Sequence, residues 1–330
     1  MCDYEAAMLF LLIVPLVFGC NEISLNKQDV RYGIVGRHED GNVLSNARVK
    51  RNAVWNYIRI EIFYDDSLKT FSDQKQVLLK ELIEESRDYF SNTLMVDQEY
   101  WMQIEPECDG NRYKDVLDDA ICENDCLPKC GDAVAPANVK MFSKCTCMGK
   151  KCPTDWSQYE GKLYNTDFVL FVTINQESCS SQTMAFASTC SLSLDTKRPI
   201  SGFINICPDM FNAMKFNDKS RWSSTIKHEL THSLVFASSH FERFPGVTQV
   251  LQNDPITIIP GVVEKFTRTD WEVAGGIIKH DVYMIVTPRV RQEARKHFDC
   301  DSLEGAELES QGGTGTAGSH WEKRLFEVSL

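Results

Sequence analysis

His228-Glu229-Leu230-Thr231-His232 is the segment of this 330-residue chain whose residue types and spacing best suit chemistry. A helical spacing of four sets His228 and His232 one turn apart on the same face, so two imidazoles can converge on a single metal ion. Glu229 is rotated by about 100° from His228, which places it beside the metal rather than on it. A carboxylate there can take a proton from a metal-held water and hand it to a leaving amine. The flanking Ile226, Leu230, Leu234 and Val235 are apolar, so a helix over about 220–236, capped by Ser220 or Ser223, is expected to be substantially buried. Two histidines on a buried helix need partners, and zinc is the usual one.

A catalytic zinc takes three protein ligands and leaves a fourth position for water. Of the remaining histidines, His38 falls in a segment expected to be removed, and His280 has no supporting pattern. His297 follows Arg295 and Lys296 late in a helix begun by Thr287-Pro288, where a cation meets the C-terminal dipole. Two candidates stay open. His240 lies eight residues beyond His232, and spacing favours it. His320 sits in the glycine-rich stretch 311–322 (QGGTGTAGSHWE), whose glycines let backbone approach closely.

The elements that must position these groups are visible as periodicity. Residues 56–64 alternate, with Ile58, Ile60, Ile62 and Tyr64 on one face of a half-buried strand. Ser72 and Asp73 can cap a helix to about residue 93 whose stripe is Val77, Leu78, Leu82, Ile83, Tyr89 and Phe90. A second strand is expected within 95–104. Residues 167–175 are apolar on both faces, as a central strand is, and 199–207 reads as a further strand containing a glycine. Helices layered on a sheet are the expected arrangement, with no internal repeat.

Apolar residues make up 43% and charged residues 25% of the chain, which excludes a disordered or low-complexity protein. Lys and Arg total 35 against 47 Asp and Glu, a net charge of −12, so a nucleic-acid footprint is not expected. Thirteen cysteines point to an oxidising compartment. Seven of them fall within 108–152, in a stretch that reads as an insertion stapled by disulfides. A thiolate zinc site would need paired knuckles, and only half of that pattern is present. At the start of the chain, residues 6–20 form an apolar run too short to span a bilayer, which reads as a signal-peptide core. The polar segment after it ends in Arg48-Val49-Lys50-Arg51, a run suited to a processing protease with acidic pockets. The expected division is a signal peptide over 1–19, a propeptide over 20–51 cut at Arg51, and a mature chain from Asn52.

HELTH on a helix, followed by GGTGTAGSHWEKR over 312–324, resembles the leishmanolysin family of zinc metalloproteases. The resemblance extends to 286–290 (VTPRV), 294–298 (ARKHF), 303–305 (LEG) and 198–207 (RPISGFINIC), and more loosely to the strand near Ile58. It implies an α+β, disulfide-rich, metzincin-like protease domain: a twisted mixed sheet, a backing helix and an active-site helix. It implies an N-terminal catalytic subdomain over 52–240 and a second subdomain over 241–330. One Zn2+ per chain would be bound by His228, His232 and His320, reversing the preference for His240, with Glu229 as general base. An edge strand including Gly202, Phe203, Ile204 and Asn205 would bind extended peptide by strand addition. Family members are secreted or surface-attached endopeptidases acting on protein and peptide substrates, with any membrane attachment expected outside this chain.

Three departures accompany the resemblance. Val235 stands at the turn out of the helix where the family usually has glycine, so the helix is expected to run on, or the turn to differ, in a way that displaces His320. The family's methionine turn comes about eleven residues after the third histidine, so the domain is expected to be C-terminally truncated. Nothing around Cys20 fits a zinc-occupying propeptide thiol. The alternative function is a metzincin-like shell used for adhesion or binding, or an inactive truncated form. Ten cysteines between Cys108 and Cys207 could form five bridges, and Cys300 would pair downstream.

Overall fold

The computed structural model describes residues 31–36, 55–114, 120–252, 254–311 and 316–326. The expected signal peptide, the cut at Arg51 and the new start at Asn52 lie outside them. Residues within the expected propeptide do supply one element, strand β1 (Arg31–Gly36).

The main sheet has seven strands: β1, β2 (Ile60–Tyr64), β3 (Trp101–Ile104), β4 (Leu163–Tyr164), β5 (Phe168–Thr173), β6 (Ala185–Ser193) and β7 (Pro199–Ile206). Their spatial order is β4-β3-β1-β6-β7-β5-β2. The sheet is mixed. β5 runs parallel to both β2 and β7, β6 is antiparallel to β7, and β1 is parallel to β6 but antiparallel to β3. Every residue of β5 and β7 is buried because both faces of the sheet are covered.

One face carries two helices, α1 (Asp73–Ser91) and α2 (Lys219–Leu234). Leu79, Leu82, Ile83 and Phe90 of α1 and Trp222, Ile226, Leu230 and Leu234 of α2 pack on Leu170, Val172, Ile204 and Ile206. Val77 departs from the expected stripe and is 58% exposed; the buried face is set by Leu79 instead. The opposite face, through Val169, Phe171, Phe186 and Phe203, meets the cysteine-rich segment with Met141, Phe142 and Trp156. Five disulfides hold this layer: Cys108–Cys122, Cys126–Cys145, Cys130–Cys190, Cys147–Cys152 and Cys179–Cys207. All seven cysteines of 108–152 are thus bridged, and Cys300 is the free thiol among the described residues.

The second half adds α3 (Ser238–Phe241), a hairpin of β8 (Val263–Val273) and β9 (Gly276–Ile285), α4 (Pro288–His297), β10 (Ala306–Leu308) and α5 (Lys323–Phe326). β9 lies between β8 and β10. Ile285, Val290, Leu308 and Trp321 join the same apolar cluster as α1 and α2, so one continuous core runs through both halves.

The expected peptide-binding edge is corrected by this topology. β7 is an interior strand with both ladders occupied, by β5 and by β6. Gly202, Phe203, Ile204 and Asn205 therefore have no free backbone edge for a peptide, and Asn205 instead links to Asn175 through its side chain. Gly202 has a packing role: a Cβ there would meet Ser188 O at 2.8 Å and Ser233 Cβ at 3.0 Å. The missing side chain is what lets α2 lie close on the sheet. Gly202→Ala should lower unfolding stability by about 1–3 kcal/mol through overpacking, read as a lower urea midpoint. An unchanged midpoint would show that α2 can move away without cost.

Candidate metal centre

α2 forms because Trp222, Ile226, Leu230 and Leu234 recur every four residues and give it one continuous apolar stripe. Its N-cap is Asp218, two residues earlier than Ser220. Its end is set at Leu234. The Val235 and Phe236 amides both donate to the Thr231 carbonyl, at 2.9 Å, and Val235 has φ −160°. This φ is negative, outside the left-handed region that favours glycine, so the turn out of the helix does not depend on glycine. The expectation that Val235 would prolong the helix or displace His320 is not met.

That turn is also what docks the third histidine. The Phe236 ring packs on Trp321 with centroids 4.7 Å apart, and the Ser238 amide donates to Ser319 Oγ at 3.2 Å. On its other side the Ser319–Glu322 segment is fastened to β10. The Glu309 amide donates to the His320 carbonyl at 2.8 Å, the Gly318 amide to the Glu309 carbonyl at 2.9 Å, and the Glu322 amide to the Glu307 carbonyl at 2.9 Å. Gly318 has φ +80°, a conformation that suits glycine and turns the chain so that His320 faces α2.

The result is a cluster of three buried imidazoles from positions 228, 232 and 320 whose ring nitrogens all lie within 4.8 Å of one another. His232 Nε2 is 3.0 Å from His228 Nε2, and His228 Nε2 is 3.2 Å from His320 Nε2. His232 Nδ1 is 2.6 Å from the Phe236 carbonyl and His320 Nδ1 is 3.0 Å from the Thr316 carbonyl. A carbonyl can only accept, so both Nδ1 atoms carry the proton and both Nε2 atoms present lone pairs to the centre. His228 Nε2 could donate to only one of them. At least one nitrogen pair at hydrogen-bond distance thus has no proton between its members, and a cation is the group that such a donor set fits. Tetrahedral ligation at about 2.0–2.1 Å places ligand nitrogens about 3.3 Å apart, close to the spacing seen.

Glu229 follows His228 on the helix and is 1% exposed, so its carboxylate is buried. His240, the candidate favoured by spacing, does not join. It sits on α3 and is buried. His280 lies on β9 opposite Arg268, and His297 ends α4. The two sulfur clusters with metal-like proximity, Cys122 with Cys126 and Cys145, and Cys126 with Cys147 and Cys152, consist entirely of disulfide-bonded cysteines. Sequence reasoning missed the Phe236 and Thr316 carbonyls, because every residue has one and spacing gives no sign of which will face a histidine. It also missed Glu309, although the alternation Ala306-Glu307-Leu308-Glu309 ahead of the loop is a strand signal that puts Glu309 opposite Leu308.

Burial keeps these imidazoles uncharged. It holds His232 down to about 3 and His240 down to about 4, and it lowers His228 and His320, with the neighbouring His232 and His320 adding to the effect at His228. Unfolded histidines take up protons near pH 6.5, whereas these resist protonation while folded, so the unfolded state binds more protons between about pH 6.5 and pH 4. Stability of the metal-free protein should therefore be full above pH 6.5 and fall as the pH drops, by about 1.4 kcal/mol per pH unit for each such histidine. His240→Phe should remove one histidine's share of that slope from urea unfolding curves taken between pH 7 and 4. A slope unchanged by the substitution would mean that His240 is not held neutral.

A profile of the leishmanolysin family matches residues 133–330. The leishmanolysin-like peptidase of Drosophila pseudoobscura pseudoobscura is 33% identical over 293 residues, covering 82% of this chain and 43% of that protein. The leishmanolysin-like peptidase of Caenorhabditis elegans is 31% identical over 293 residues, covering 82% and 44%. The ciliated left-right organizer metallopeptidase of Xenopus laevis is 30% identical over 169 residues, covering 50% and 21%. The chain thus spans less than half the length of these three relatives.

Proposed function

This chain belongs to the leishmanolysin family, and we propose that it is a zinc metalloendopeptidase that hydrolyses peptide bonds of protein substrates with Glu229 as general base. The observation that carries this reading is the convergence of three neutral, buried imidazole nitrogens beside an enclosed carboxylate. His228, His232 and His320 would hold the ion through Nε2. A zinc ion so held supplies Lewis acidity toward a water molecule and toward the scissile carbonyl.

The protein's own groups do the rest. The Phe236 and Thr316 carbonyls keep the Nδ1 protons of His232 and His320 in place, which holds both rings in the tautomer that ligates. Glu229, one helical step from His228, accepts the proton of the attacking water on a carboxylate oxygen. It then delivers that proton to the amine nitrogen that leaves as the C–N bond breaks. The surrounding apolar residues, Leu230 and Trp321 among them, exclude bulk water and strengthen these electrostatic interactions. Relatives named as peptidases and a metallopeptidase support the assignment.

Secretion or display at the cell surface is part of the same proposal. Five disulfides persist where the surroundings are oxidising, outside the cytosol. Among the described residues no helix is long and apolar enough to cross a membrane.

Glu229→Gln should leave zinc stoichiometry at one per chain and lower cleavage of a quenched fluorescent peptide by about 10²–10⁴-fold, the usual contribution of a general base. Cleavage equal to that of the unsubstituted protein would refute the role given to Glu229.

A further inference from the structure

We propose that Glu309 is a positioning residue for the third histidine: its buried carboxylate holds the ring of His320 in place and balances the positive charge that ring acquires when its Nε2 ligates a cation. The inference rests on the zinc-site reading above and extends it to a residue outside the ligand set.

Glu309 directly follows β10, and its side chain is 8% exposed. One carboxylate oxygen, Oε1, is 3.1 Å from Lys323 Nζ. The other, Oε2, has no hydrogen-bond partner and lies 3.8 Å from His320 Nδ1. Burying a carboxylate oxygen without a partner is unfavourable, so something in the working protein must compensate for it. The Nδ1 proton of His320 already points to the Thr316 carbonyl at 3.0 Å, with Glu309 Oε2 at 3.8 Å. A ring that ligates through Nε2 shifts positive charge toward Nδ1–H, and Oε2 is where that charge would be met.

His232 and His320 differ in this respect. His232 Nδ1 is held by a neutral carbonyl, that of Phe236, whereas His320 has a carbonyl and a carboxylate. The difference fits their settings. His232 is fixed by a helix, while His320 is carried by a turn docked on Phe236, Ser238 and the end of β10. The Glu309 backbone already bonds both Gly318 and His320, so its side chain acts on a turn that its main chain has closed. An isosteric exchange therefore removes the charge without removing those bonds.

A purely structural ion pair with Lys323 would make a different prediction, and two variants separate the possibilities. Zinc affinity is measured by competition with a chromophoric chelator, the absorption bands of the cobalt(II)-loaded protein report the ligand field, and calorimetry gives the melting temperature of the metal-free protein. Glu309→Gln should weaken zinc binding by about 10–100-fold and shift the cobalt bands, with the metal-free melting temperature little changed. Lys323→Met should leave zinc binding as tight or tighter, because the carboxylate is then shared with no other cation. Zinc affinity in Glu309→Gln within twofold of the unsubstituted protein would overturn the proposal. So would equal weakening in both variants, or a Glu309→Gln chain that no longer folds without metal, since either result makes Glu309 a structural partner of Lys323. Failure of the zinc-site reading itself would look different: the unsubstituted protein would not take up one zinc, or His320→Ala would bind zinc as tightly as the parent.

Discussion

Ring nitrogens brought to about 3 Å of one another in a dry interior, with too few protons to bridge every pair, repel, and the supports of this site hold three of them there. Bulk water cannot relieve the repulsion, because His228, His232 and His320 are all buried. Protonating the rings would exchange it for a worse one between buried like charges. A divalent cation removes the conflict, since it turns each lone pair into a bond. The energy that the fold spends in assembling the cluster without metal would therefore be returned on binding a cation, which would make metal affinity and folding stability two views of one equilibrium.

Holding the lone pairs together requires two rigid supports that meet at the turn after α2. The first is α2 itself, seated on β6 and β7 because Gly202 gives it room and because both faces of the sheet are covered. The second is the β9–β10 pair, extended by the antiparallel bridge between Leu308 and Trp321, which lays the Ser319–Glu322 segment along β10. Phe236 against Trp321 joins the two. The disulfide-bonded layer covers the face of the sheet opposite α2, yet Cys130–Cys190 fastens it to β6, the strand whose Thr189 hydroxyl donates to the Ser233 carbonyl of α2. The staple thus stiffens the floor on which two of the three ligands stand.

How much of this the sequence discloses follows from the range of each interaction. His228, Glu229 and His232 are legible because their relation is set by one helical turn, and the burial of the helix follows from its own stripe. The central strand β5 is legible because apolar residues on successive positions require cover on both faces. The five bridges follow in number, though not in pairing, from ten cysteines between Cys108 and Cys207. His320 is not legible from spacing. Its place depends on Phe236 meeting Trp321 and on β10 pairing with β9, contacts between segments far apart in the chain, and family resemblance supplied what local reasoning could not. The error over Gly202–Asn205 has the same origin. Strand order is a property of the whole sheet, and nothing within 199–207 says which neighbours flank it. β1 was hidden for a further reason: Arg31–Gly36 shows no alternation, and its membership of the sheet comes from partners on both sides.

The carboxylates around the third ligand bear on charge as well as on position. Glu229, Glu307, Glu309 and Glu322 are all buried, and all but Glu229 lie on β10 or on the turn bonded to it. Three neutral imidazoles with a divalent cation form a centre of charge +2, which a low-dielectric interior accepts only with negative groups nearby. The acidic residues are concentrated on the support that carries His320, the ligand held by a turn rather than a helix. Without a cation, the Glu309 carboxylate is met by Lys323. A buried acidic side chain, Glu309, thus stands behind the histidine that is carried by a turn rather than by a helix.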